Sequence, residues 1–175
     1  KIADTVDWKR VRNARTLCMV SEIYEANDRL EDSRDVLMRA YRRAQGGRMI
    51  VYRLAEVAIQ MREFDEAIEY YSEFADIAPN DYSRYVLKYK IYKGRGSRLE
   101  EQIAILEEYK EKEYTEKWAY ELALLYYKAG EEQKCVEECD DLVLWFRQGD
   151  YVIKALELKS RLTPLTAEQR AIYEH

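Results

Sequence analysis

Histidine is almost missing from this chain: the single one is His175, the last residue. Without a second imidazole there is no Ser–His or Cys–His nucleophile pair and no HExxH zinc site, which excludes the commonest hydrolytic designs. Gly94 and Gly96 are too few and too close to make a loop that cradles phosphates. Paired acids such as Glu107 with Glu108, or Asp140 with Asp141, read as solvent-facing helix charge. The expectation is a chain that is not an enzyme and takes no cofactor and no metal. Three cysteines cannot all pair internally, and their spacing fits neither a disulfide scaffold nor a zinc knuckle, which favours a reducing, cytoplasmic location. No run approaches the roughly 18 apolar residues a membrane helix needs, so this segment is not expected to insert directly into a membrane. The start, KIADTVDWKRVRN, has no apolar signal core, and because it opens on Lys1 an upstream signal, anchor or domain stays open.

Proline occurs only at Pro79 and Pro164, and glycine six times, so long stretches carry no helix breaker. What fills them is 47% hydrophobic and 36% charged residues, with sixteen tyrosines. That composition argues against disorder and for a helical globular chain. Its 175 residues are enough to bury roughly two thirds of the unfolded surface, with one elongated domain as the simplest count. Tyrosine suits the large positions of an apolar stripe, because its body is apolar and its tip reaches the rim.

The apolar residues fall on helical spacing. Leu54, Ala55 and Ala58 form one stripe, and Phe64, Ala67 and Tyr71 form a stripe on a following helix. The segment FDEAIEYYSEFADIAPN, with Pro79 near its end, resembles the tetratricopeptide repeat, whose period is about 34 residues. One period back, Tyr24, Leu30, Ser33, Leu37 and Ala40 occupy matching places. One period forward, Tyr85, Tyr89 and Tyr92 fit a first helix. Leu99, Ile103, Leu106 and Tyr109 fit a second helix if the turn between them carries an extra residue. A fourth unit recovers the phase with Leu122, Ala123, Tyr126 and Gly130. The resemblance implies an all-α fold, a right-handed superhelix of stacked antiparallel helix pairs. Repeats are expected over 14–47, 48–81, 82–115 and 116–148, with capping helices over 151–173, in a single domain spanning 1–175. A pair this short cannot bury its stripe alone, so each unit must stack on its neighbours.

Local signals refine the boundaries. Asp7 is expected to cap a helix running from Trp8 to about Asn27, with Trp8 and Val11 covering the open end of the array or belonging to a further repeat. Gly46 with Gly47, then Pro79 with Asn80, then Gly94 to Ser97, mark turns. Cys135 and Cys139 stand at packing places of the fourth unit and read as core; Cys18, beside Met19, is a candidate thiol on the groove side. Leu144, Trp145 and Phe146 form an apolar cluster ended by Gly149 and Asp150. Val152, Ala155, Leu156 and Leu158 then mark an end helix, and Thr166 with Gln169 reads as a capping box for a last one.

In the tetratricopeptide family the first helices of successive units line a concave groove that takes extended peptides or partner helices. The resemblance therefore implies groove places at Arg15, Met19 and Glu22, at Tyr52, Arg53 and Glu56, at Lys90 with Val86 and Leu87 beside it, and at Tyr120, Glu121, Leu124 and Tyr127. Tyrosines would give flat apolar contact, Arg53 and Lys90 would meet carboxylates or carbonyls, and the glutamates would meet basic groups. No asparagine occupies these places, so the Lys/Arg/Asn clamp by which some members hold a terminal carboxylate is missing.

The net charge is -5 with a pI near 5.2, yet Arg84, Lys88, Lys90, Lys93, Arg95 and Arg98 alternate with Tyr85, Tyr89 and Tyr92. Basic residues interleaved with aromatics can hold single-stranded nucleic acid. Acids from Glu100 to Glu116 and from Glu131 to Asp141 would repel a polyanion, so an acidic protein partner suits the stripe better. The expected function is a noncatalytic protein–protein interaction scaffold. The alternative is a structural spacer or self-associating segment of a larger protein.

Overall fold

A computed structural model describes Asp4, residues 13–43 and residues 47–175. Among these residues there are ten helices and no strand. They are α1 (Ala14–Ala26), α2 (Leu30–Arg42), α3 (Gly47–Gln60), α4 (Phe64–Ile77), α5 (Ser83–Gly94), α6 (Leu99–Lys112), α7 (Glu116–Lys128), α8 (Glu132–Phe146), α9 (Asp150–Ser160) and α10 (Ala167–Glu174). The chain divides into two compact units, 1–96 and 97–175. None of the described helices is long and apolar enough to cross a membrane.

The repeat is written in the turns. A residue in the left-handed region follows the first helix of each pair: Asp28 at φ 60°, Arg62 at 61°, Gly96 at 74° and Gly130 at 77°. In three of the four turns the next residue closes the helix end by donating its N–H to a carbonyl one turn back. Arg29 bonds Tyr24 at 2.8 Å, Glu63 bonds Ala58 at 2.8 Å and Glu131 bonds Tyr126 at 2.9 Å. This satisfies carbonyls that the ended helix leaves open. In the remaining turn Gly96 donates to Lys93 at 3.0 Å, and α6 starts at Leu99. That start is the extra residue expected there, and α8 begins back in phase.

One expectation changes at the N-terminal end. Asn13 is extended, at φ -77° and ψ 115°, and its side chain accepts the Thr16 N–H. A short amide side chain is a strong N-cap, so α1 begins at Ala14 and does not run unbroken from Trp8. Asp7, Trp8, Val11 and Gly46 lie outside the described residues.

In the first unit the core is Leu17, Val20 and Tyr24 from α1, Val36, Leu37 and Ala40 from α2, Leu54, Ala55 and Val57 from α3, and Tyr70 and Phe74 from α4. Along α4 the buried stripe is Ala67, Tyr70 and Phe74, while Phe64 and Tyr71 lie half-buried at its edges. The i, i+3, i+7 course follows the helical period and turns the stripe away from Tyr71. Phe64 instead closes on α5, where a Cβ added to Gly94 would come within 2.9 Å of its ring. Val86 and Leu87 are buried core, not groove residues; Tyr89 and Ile91 are buried with them.

The second unit packs Ile105, Leu106 and Tyr109 of α6 with Leu122, Ala123 and Tyr126 of α7 and Leu142 of α8. Cys135 and Cys139 are fully buried there, as packing residues. Helix α9 contributes Val152, Ala155, Leu156 and Leu158. Thr166 and Gln169 make the expected capping box on α10. The same Gln169 accepts from the buried Lys159 ammonium at 2.8 Å and donates to Asp140 at 2.7 Å, while Lys159 pairs with Asp140 at 2.6 Å. One polar cluster thus ties α10 and α9 back to α8.

Candidate functional site

In the first unit the first helices α1, α3 and α5 stand side by side, and a polar network crosses them. Its centre is Arg53, only 7% exposed. Its Nε donates to Ser21 Oγ at 3.0 Å, Nη1 to Glu56 at 2.9 Å and Nη2 to Glu25 at 3.2 Å. Ser21 Oγ donates in turn to the Cys18 carbonyl at 2.6 Å, and Ser33 Oγ to the Ser21 carbonyl at 2.8 Å. Lys90 on α5 completes the line, 2.7 Å from the second oxygen of Glu56. A buried guanidinium is tolerable because its fork is met by fixed acceptors. The burial that would lower the Arg53 pKa is outweighed by Glu56 and Glu25, which raise it on balance.

Beside this network lies a cleft of about 380 Å³. Cys18 and Glu22 of α1, Met49, Tyr52, Arg53 and Glu56 of α3, and Phe74 of α4 form its walls, with Arg48, Asp81 and Ser83 at one end. Tyr52 meets Phe74 edge-on at 5.2 Å, and Lys90 lies 5.7 Å from the Tyr52 ring centre. Met49 is 41% exposed and presents an apolar surface at the mouth. Asp81, one residue before the N-cap Tyr82, accepts from the Ser83 N–H and hydroxyl at the start of α5, and it stands 3.7 Å from Arg48. Cys18 does face the cleft, but burial pushes its thiol up to about 11, so it is a neutral wall and not an activated nucleophile.

Of the places implied by the repeat, Glu22, Tyr52, Arg53 and Glu56 come together at this cleft, and Lys90 joins them through Glu56. Arg15 and Met19 are exposed on α1 and do not line it. Arg53 departs from expectation: it is held inside by acceptors on α1 and α3 and is not a rim cation. The cleft residues Met49, Phe74 and Asp81, and the network residues Ser21 and Glu25, were not singled out from sequence. One signal was available, since Glu56 and Lys90 are opposite charges 34 residues apart on consecutive first helices.

The remaining places lie on α7 of the second unit. Tyr120 packs on Tyr151 of α9, ring centres 5.9 Å apart, and burial raises its pKa. Glu121 and Leu124 are half-buried, and Tyr127 is exposed. The end helix α9 thus covers part of the face that Tyr120 would offer.

The basic stripe of α5 is occupied by its own cations. Arg84 lies 4.3 Å from the Tyr85 ring centre, Lys93 5.9 Å from Tyr89, and Arg95 and Lys88 lie 5.0 and 5.9 Å from Tyr92. Tyr89 is itself buried. Among the described residues no group of three His, Cys, Asp or Glu side chains is arranged to hold a metal ion.

Residues 50–81 match the family model described as tetratricopeptide repeat. No curated protein matches the chain in sequence. Among solved structures, a thermophilic TPR protein of Thermus thermophilus, TTC0263, is similar over 93% of this chain and 97% of its own at 14% identity, with a TM-score of 0.62. PilF of Pseudomonas aeruginosa is similar over 89% of this chain and 79% of its own at 13% identity, TM-score 0.64. YrrB, described as a TPR protein with an unusual peptide-binding site, is similar over 83% of this chain and 75% of its own at 15% identity, TM-score 0.59.

Proposed function

We propose that this chain, which carries a tetratricopeptide repeat and is built on the fold of that family, is a noncatalytic scaffold that holds a peptide or helix of another protein against the first-helix face of its first unit. The observation that carries this reading is the cleft itself: an apolar wall of Met49, Tyr52 and Phe74 beside a polar floor that is already satisfied. A floor whose charges are internally paired does not need a ligand to neutralise it, so affinity comes from apolar anchoring on the wall and the rim sets orientation. The likeness to a solved repeat protein described as having a peptide-binding site supports the same reading. A stable partner would extend beyond the cleft, to about 1,000 Å² or more of total burial.

The test uses rim residues, because removing Arg53 would disturb the fold. Tagged wild-type chain and a Glu22→Lys, Met49→Asp variant, matched in helicity, are used to capture proteins from native extract. Any protein retained differentially is purified and titrated against both. Loss of about tenfold or more in affinity for the variant supports the cleft; equal affinity rejects it. If no specific partner is retained from suitable extracts, the spacer reading takes its place.

A further inference from the structure

The two most exposed large apolar side chains among the described residues are neighbours near the end of α8, on the second helix of its pair. Leu144 is 72% and Trp145 68% exposed. With Lys110, Tyr114 and Asp141 they line a cleft of about 270 Å³. It is built, not incidental: Tyr114 meets Trp145 edge-on at 6.0 Å and stacks on Phe146 at 5.5 Å, which holds the aromatic wall in place.

Acids outnumber the single cation at this cleft, where Lys110 is shared between Glu138 and Asp141. Lys110 is its cation, but its ammonium is committed to the buried Glu138 at 2.7 Å and lies 5.4 Å from the Tyr114 ring centre. Asp141 stands farther off, at 3.5 Å, with its side chain 58% exposed. Helical spacing puts Asp141 one turn before Trp145, and the exposed Glu137 one turn before Asp141. An acidic stripe therefore runs into an apolar end on one face of one helix. A guanidinium suits that junction, since it can stack on an indole face while pairing with a carboxylate.

We propose that the Leu144–Trp145 face of α8 is a docking site, separate from the first-helix cleft, for a basic amphipathic helix of another protein. The partner places an aliphatic side chain against Leu144 and Tyr114 and an arginine between Trp145 and Asp141, with a further basic residue one turn away toward Glu137. Charge selects the partner and the apolar end anchors it.

The test titrates the full chain with a panel of short capped helical peptides. Each bears leucine on one stripe and arginine beside it, with the leucine–arginine register varied across the panel. Matched peptides carry glutamate for arginine or serine for leucine. Binding is followed by the fluorescence of Trp145, assigned by comparison with Trp145→Phe. The expected result is saturable binding by at least one register, lost about tenfold or more on arginine-to-glutamate exchange and on Leu144→Ser. Asp141→Arg should reverse the preference toward the glutamate peptide. All three substituted side chains are more than half exposed, and unchanged far-ultraviolet dichroism verifies the fold. No saturable binding in any register, or binding indifferent to charge, overturns the proposal. So does concentration-dependent dimerisation abolished by Leu144→Ser, which would assign the face to a second copy of this chain.

Discussion

Arg53 sits in the first unit with almost no water around it because α1 and α3 supply an acceptor for each arm of its fork. Removing it leaves Glu25 and Ser21 without the donor they were folded around. Arg53→Ala should therefore lower unfolding free energy by about 2–3 kcal/mol, less than for a fully buried pair because Glu25 and Glu56 keep some solvent and Glu56 keeps Lys90. Lys90→Ala, at the half-exposed end of the same line, should cost about 1 kcal/mol or less. Parallel denaturant titrations check both, and equal losses would show that Arg53 is no better buried than Lys90. Cys18 yields a pH prediction. Its thiol is held protonated up to about 11, so alkylation should stay slow at pH 8–9 and accelerate only well above the pH at which an exposed thiol ionises. The folded state keeps a proton that the unfolded chain has already released, so this group's contribution to stability falls as pH rises from the ordinary thiol range toward 11. Mass-spectrometric labelling rates at several pH values measure the first effect, and alkaline unfolding curves the second.

At the scale of elements, the left-handed turn residue decides where each first helix stops. Glycine meets this requirement at Gly130 without strain, whereas Arg62 meets it with a Cβ in place. Gly130→Ala should cost about 1–2 kcal/mol, even though nothing lies within 4 Å of the added Cβ. Arg62→Gly should raise stability by about 0.5 kcal/mol, the strain relieved less the entropy glycine adds to the unfolded chain. Thermal unfolding of the two single variants tests the pair, and the idea fails if both shift in one direction. These turns also explain what was legible in the sequence. The spacing around Leu54 and Ala55, around Ala67 and around Leu122 made the helices legible, because a period near 3.6 keeps the buried residues of each helix on one face. The sequence pattern did not reveal that α4 buries Tyr70 and Phe74 in place of Tyr71. Adjacent tyrosines are alike in composition, and the choice depends on how far the neighbouring helix rotates the stripe.

At the scale of the molecule, the core of the first unit draws on α1 through α5 as one cluster. Stability in such arrays is shared between neighbouring units. Leu54→Ala, at a site only 1% exposed, should cost about 2–5 kcal/mol and lower hydrogen-exchange protection across α1 to α4, not in α3 alone. Amide exchange by mass spectrometry distinguishes the two outcomes. The net charge of -5 and the self-occupied tyrosines of α5 lead to a further expectation. Single-stranded RNA should not be retained at physiological salt, and retention lost on reversing Lys90 and Arg95 would restore the nucleic-acid reading.

By itself the sequence determined the all-α class, the roughly 34-residue period, the paired helices, the burial of Cys135 and Cys139 and the capping box at Thr166. These are local or periodic properties, set by residue type and spacing within one or two turns. The tertiary structure alone decided which charges are free. Arg53 and Lys90 look like rim cations until α1, α3 and α5 bring Ser21, Glu25 and Glu56 to them. Tyr120 looks open until α9 lies against it, and Leu144 with Trp145 looks like a helix end awaiting burial until the fold leaves it in water. Pairing and exposure depend on the separation of side chains far apart in the chain, and that separation is fixed only when the helices pack.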